Sequence, residues 1–243
     1  MTRASASMII ALGLLLGGVL GCSRLMNPYR CTIAGKPAPR TAHDYIQRSA
    51  DHLEAKEMNC ALAACNQAIR LAGSDPAAYH CRGWVYQTQK NYEKALTDYD
   101  EVIRLAPNDP DSYVYRARLY LAQGYFSLAM ADLNKAIEIA PSNGGIMLAR
   151  AYSVRGEAYA EQRDFDHALA DYDEAIKRKP DFSWFYFHRG KAYYKKGDYR
   201  LSIQDFDEAI KLGDDEDRKY FYPERTKAQA KLKDALSEAP RHR

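Results

Sequence analysis

One motif is written five times along this chain. Aligned on the alanine that follows an aromatic-x-x pattern, the copies fall at Ala61, Ala95, Ala129 and Ala168, with Ser202 holding the place in the last. The steps between them are 34, 34, 39 and 34 residues. Residues 188–210, HRGKAYYKKGDYRLSIQDFDEAI, nearly restate 155–176, RGEAYAEQRDFDHALADYDEAI. A period of 34 with a helical apolar pattern is the mark of paired helices stacked into a solenoid, each pair burying its apolar face against the next. With 47% hydrophobic residues, the chain has enough apolar surface for one substantial core.

Each slot of the motif has a mechanical reason. The second copy carries Tyr79, Gly83, Tyr86, Tyr92, Ala95, Tyr99 and Pro107; the fourth carries Tyr152, Gly156, Tyr159, Phe165, Ala168, Tyr172, Ala175 and Pro180. Gly or Ala belongs where two helix backbones approach closely, rings fill the gaps beside it, and Pro ends the second helix because it has no N–H to continue it. The third copy follows suit with Tyr113, Ala117, Tyr120, Phe126, Ala129, Leu133, Ala136 and Pro141. In the fifth, Tyr186, Gly190, Tyr193, Tyr199, Phe206 and Ala209 are followed by Asp214 where Pro would stand. The first copy is degenerate, with Tyr45, Ala61 and Ala68 but Ser49, His52, Cys65 and Gly73 at other signature positions.

These residues resemble the tetratricopeptide repeat family. The resemblance implies an all-α fold: a right-handed solenoid of about five helix-turn-helix repeats over residues 41–216, the first degenerate, closed by a capping helix and tail over 217–243. The capping helix is expected to start at Pro223-Glu224 and to carry Ala228, Leu232 and Leu236 at four-residue spacing. Two adjacent glycines in the GGIML stretch at 144–148, where the spacing is five residues too long, predict a break or a lengthened turn.

Charge recurs with the same period. The seventh position of every copy is Arg (Arg48, Arg82, Arg116, Arg155, Arg189), and the twenty-third is Asp in four (Asp98, Asp132, Asp171, Asp205), with Ala64 in the first. Each Arg is expected to pair with the Asp of its own copy and so to tie its two helices together. Otherwise the net charge of +3 is interspersed along the sequence, which gives no nucleic-acid footprint.

No phosphate loop, metal helix or nucleophile elbow is present, and the six histidines are scattered. No catalysis, cofactor or metal is therefore expected. In the family resembled, the inner groove is lined by the first helix of each repeat, chiefly at positions two, five, nine and twelve. Carried onto this chain, that implies a protein-binding or peptide-binding groove of His80, Trp84, Val114, Arg118, Leu121, Arg150, Ser153, Glu157, Trp184, Phe187, Lys191 and Tyr194. Such an aromatic and basic surface suits an extended or helical peptide with acidic or apolar side chains. The carboxylate clamp of chaperone-binding members is absent, since Trp84, Arg118, Glu157 and Lys191 replace its position-nine Asn.

The N-terminus reads as an export signal over residues 1–21. About thirteen apolar or small residues run from Met8 to Leu20, too few for a comfortable membrane span. Val19-Leu20-Gly21-Cys22 resembles the bacterial lipobox, which implies diacylglyceryl attachment at Cys22, and Ser23 points to the outer membrane. Residues 22–40 then read as a lipidated, basic, proline-containing tether. Cys65 occupies a core aromatic slot and reads as a small hydrophobe, while in an oxidising compartment Cys60 or Cys65 could bond Cys81, or Cys60 could bond Cys31. The expectation is a lipid-anchored scaffold facing the periplasm. A pilotin-like assembly factor and a regulatory subunit of an envelope enzyme are the alternatives, and homodimerisation is left open.

Overall fold

A computed structural model describes residue 31 and residues 38–141 and 145–238 of the chain. Two units are distinguished, Met1–Ala38 and Pro39–Arg243. The expected signal and Cys22 lie outside the described residues. Among the described residues there are eleven helices, all in the second unit: α1 Ala42–Glu54, α2 Met58–Leu71, α3 Pro76–Thr88, α4 Tyr92–Leu105, α5 Pro110–Ala122, α6 Phe126–Ile139, α7 Gly145–Glu161, α8 Phe165–Arg178, α9 Ser183–Lys196, α10 Tyr199–Leu212 and α11 Asp215–Glu238. None of them is long and apolar enough to cross a membrane.

Local chemistry sets the helix boundaries. Thr41 and Asp44 form a reciprocal capping box at the start of α1, and Asp75-Pro76 and Asp109-Pro110 supply an N-cap side chain followed by Pro at the first helical position of α3 and α5. Between the two helices of every repeat the chain turns through one left-handed residue, at Lys56, Lys90, Gly124, Arg163 and Gly197, with φ of 60, 59, 79, 62 and 99°. That residue lets the next N–H reach back to the helix: Glu57, Asn91, Tyr125, Asp164 and Asp198 each donate to the carbonyl five residues earlier, at 2.7–2.9 Å. The five turns are one turn repeated.

Within each pair the helices meet at matched sizes. Position eight of the first helix faces position twenty-four of the second: Gly83 with Tyr99, Ala117 with Leu133, Gly156 with Tyr172, Gly190 with Phe206. A methyl group added at Gly156 or Gly190 would sit 3.0 Å from the facing ring. Where the small residue grows to Ala, the large one shrinks to Leu. The first pair uses Ser49 against Cys65, whose oxygen and sulfur are 3.1 Å apart, and Cys65 is bonded to Cys81 of α3 in a disulfide with a Cα–Cα distance of 5.7 Å. Cys31 and Cys60 are also disulfide-bonded.

Residues 145–148 form an extra turn of α7, which has 17 residues where α3 and α5 have 13; Gly145 opens it with a φ of 51°, and residues 142–144, where the rest of the expected break or lengthened turn falls, lie outside the described residues. Leu148 is buried and Ile146 packs on the cluster of Ala149, Ala175 and Phe185, which holds the extra turn in place. The expected start of the capping helix is corrected: α11 starts at Asp215, not at Pro223, and Pro223 sits inside it. Phe221 and Ala228, seven residues apart and on one face, are both fully buried in a cluster with Phe187 and Phe206. That burial holds the helix across a proline which cannot donate to the carbonyl of Lys219.

Candidate partner-binding face

The position-seven arginines sit where first and second helices meet. Arg82, Arg116, Arg155 and Arg189 each form a two-pronged bond to the Asp of their own repeat, with closest distances of 2.7, 2.7, 2.8 and 2.7 Å to Asp98, Asp132, Asp171 and Asp205. The remaining guanidinium nitrogen of each reaches back into the preceding repeat, to Asn66, Asp100, Asn134 and Asp173 at 3.1, 2.7, 2.8 and 2.6 Å. One arginine therefore ties three helices. At the end of the series Asp207 holds the place of those acceptors and is met by Arg225 of α11 as an ion pair. Burial holds the Asp98 and Asp205 carboxyls above the ordinary carboxylate range, outweighing the opposite pull of the hydrogen-bonded Arg beside each. Arg48 is buried, with Ala64 where the other repeats have Asp. The preceding-repeat acceptors were not anticipated; their signal was the recurrence of Asn or Asp two residues after each core Asp slot.

With position seven turned toward the second helices, the other side of the first helices is free to carry a surface. Trp84 is 42% exposed and stands edge-on to Tyr115 at 6.0 Å, with His80 against the same ring at 4.7 Å. Arg118 and Arg150 are exposed; Leu121 is half-buried against the core. Glu157 lies 3.4 Å from His188, a residue not anticipated for this face, whose imidazole is held below its ordinary pKa by burial. Lys191 is exposed with its ammonium 5.5 Å over the Phe187 ring, and Tyr194 packs edge-on against Tyr199. Arg118, Arg150 and Lys191 make no ion pair among the described residues.

Four of the expected groove residues do not line an open surface. Val114 is 4% exposed, Ser153 3% and Phe187 6%, all core. The indole of Trp184 is committed to the capping helix: its Nε1 donates to Asp217 at 2.9 Å and its ring packs on Phe221. For Trp184 and Phe187 the cause is α11, which covers the fifth repeat's first helix as a sixth repeat would. What remains open is Trp84 with His80 at one end, Arg118 and Arg150 in the middle, and Glu157, Lys191 and His188 toward the other.

Family models described as tetratricopeptide repeat, TPR repeat and tetratricopeptide repeat match residues 84–153, 156–197 and 183–215, together more than half the chain. No curated protein matches the sequence. Among solved structures, TTC0263, a thermophilic TPR protein from Thermus thermophilus, aligns with a TM-score of 0.66 at 16% identity over 79% of this chain and 99% of its own. The pilF protein of Pseudomonas aeruginosa gives 0.63 at 14% identity, covering 82% and 93%. MamA from Desulfovibrio magneticus RS-1 gives 0.55 at 22%, covering 72% and 97%. At these identities the likeness is one of fold.

Proposed function

This chain belongs to the tetratricopeptide-repeat family, and we propose that it is a lipid-anchored adaptor of the bacterial envelope that holds a partner protein on the exposed face of its first helices. Proteins of this fold are protein-interaction scaffolds and typically non-catalytic. The observation that carries the reading is the open face itself: a large aromatic, Trp84, left 42% exposed on the same face as cations, Arg118, Arg150 and Lys191, that make no ion pair among the described residues. Trp and Arg are the side chains that most often dominate protein interfaces. An acidic or apolar peptide segment would satisfy both.

For the location, support comes from the apolar run Met8–Leu20 and the lipobox-like Val19–Cys22, and from disulfide-bonded Cys31, Cys60, Cys65 and Cys81, since disulfides persist in oxidising compartments. A lipoprotein Cys bearing two or three acyl chains anchors stably where one chain holds only marginally. The likeness to pilF at 14% identity is one of fold and adds no assembly role.

Crosslinked affinity purification from solubilised membranes tests the face. The native chain is compared with Trp84→Ala/Arg118→Glu/Lys191→Glu, all three exposed and outside the core. A partner captured by the native form and lost, at least tenfold, from an equally helical variant is the expected result; an unchanged partner set rejects the face. In parallel, Cys22→Ser should move the protein from the membrane to the soluble fraction, and continued membrane retention would overturn the anchor.

A further inference from the structure

Position twelve of the first helix is Leu53, Gln87, Leu121 and Tyr194 in four repeats and Ala160 in the fourth. In the second repeat Gln87 accepts a hydrogen bond from the phenol of Tyr99, at 3.2 Å. Tyr172 is the counterpart of Tyr99, 2% exposed, and with Ala160 in place of Gln its hydroxyl has no hydrogen-bond partner among the described residues. The missing side chain leaves a cleft of ≈ 140 Å³ between α7 and α9, lined by Glu157, Ala160, Glu161, Tyr172, His188, Lys191, Ala192 and Lys195. Two carboxylates one helical turn apart, Glu157 and Glu161, form the α7 rim, and two ammonium groups one turn apart, Lys191 and Lys195, form the α9 rim. Opposite charges that share a cleft would ordinarily close on each other. Yet among the described residues no Glu–Lys ion pair crosses it: Glu157 has only His188, at 3.4 Å, and Glu161, Lys191 and Lys195 have none.

We propose that this cleft is a binding site for a small zwitterion of the amino-acid type, its ammonium held by Glu157 and Glu161, its carboxylate by Lys191 and Lys195, and its body over the Tyr172 hydroxyl and the His188 ring. The volume is well below the range of about 300–1,000 Å³ typical of sites for drug-sized ligands, which limits the occupant to one residue-sized group. Two like charges at each end, with opposite signs at the two ends, make the recognition two-sided, so a ligand with one charge leaves the opposite rim unanswered. The site goes beyond the adaptor reading and does not depend on it.

The test uses the purified full chain and glycine, 4-aminobutyrate and 6-aminohexanoate as probes, with hexanoate and hexylamine as single-charge controls. The His188 Cε1–H resonance, on the cleft floor, reports occupancy. At least one of the ω-amino acids should shift it saturably and bind tenfold or more tightly than either control. Glu161→Gln should bring that probe to the level of hexanoate, and Lys195→Met to the level of hexylamine; both residues are exposed, and circular dichroism confirms that the variants fold. Ala160→Gln restores the second repeat's arrangement and should abolish binding with no loss of stability. Equal shifts from all five compounds, no shift from any, or binding that survives Ala160→Gln overturns the proposal. Partner capture that persists in Ala160→Gln while no probe binds the native chain rejects the cleft alone; probe binding without partner capture rejects the adaptor alone.

Discussion

The decisive residues of this protein are small ones. Gly190 lies where a methyl group would meet the Phe206 ring at 3.0 Å, and the third repeat shows how the same contact tolerates Ala: Ala117 is opposed by Leu133, not by a ring. Gly190→Ala gains about 1 kcal/mol of helix propensity but overpacks a filled interface, which costs about 1–3 kcal/mol. A net loss of about 1 kcal/mol is expected. Adding Phe206→Leu should recover it, so that urea denaturation gives the double variant about 1 kcal/mol or more above the sum of the singles. Additive behaviour would mean that the size matching is incidental. Pro, Gly and ring slots are legible in the sequence because each acts within its own repeat. Phe187 and Trp184 read as groove residues there because their burial depends on Phe221 and Asp217 of a helix outside the repeat pattern. Tyr172 becomes informative only when its hydroxyl is set beside that of Tyr99 and Ala160 is seen in the place of Gln87.

At the scale of the element, the turn between paired helices matters most. Five residues adopt the left-handed conformation there, and only Gly124 and Gly197 do so without steric cost. For Lys56, Lys90 and Arg163 that conformation costs about 1–2 kcal/mol, partly offset because glycine loses more chain entropy on folding, about 0.5–1 kcal/mol. Arg163→Gly should therefore stabilise the protein by about 0.5–1 kcal/mol, read as a higher urea midpoint at unchanged slope. Gly197→Ala should move the midpoint the other way. A destabilised Arg163→Gly would show that Arg163 does something in the turn beyond closing it. The turn is hidden in the sequence by its three non-glycine versions, where backbone geometry imposed by packing overrides local preference. The extra turn of α7 is hidden for another reason: Gly145 keeps a left-handed φ, as a glycine at a break would, yet residues 146–148 after it are helical and packed.

Across the whole molecule, two histidines on the same face respond to acid together. Burial lowers the pKa of His188, with Glu157 opposing the shift and Lys191 and Arg118 adding to it, and burial likewise lowers that of His80, with Asp109 opposing. The unfolded chain takes up these protons first, near the ordinary histidine value of about 6.5. Stability is thus full above that pH and is lost as pH falls from there through the folded-state values. Calorimetry between about pH 7 and about pH 5 should show a falling Tm, and His188→Asn should flatten the decline. An unaltered slope in that variant would place the sensitivity elsewhere.

The pairing of Arg225 with Asp207 closes the series of inter-repeat acceptors. Every repeat from the second onward consumes an acceptor offered by the one before and offers another to the one after, which is the logic of head-to-tail growth, and such growth has no natural end. Helix α11 supplies the cation and the apolar cover, through Phe221 and Ala228, and among the described residues no helix after it presents another acceptor. In polymer terms α11 caps the growing end that Asp207 would otherwise leave open.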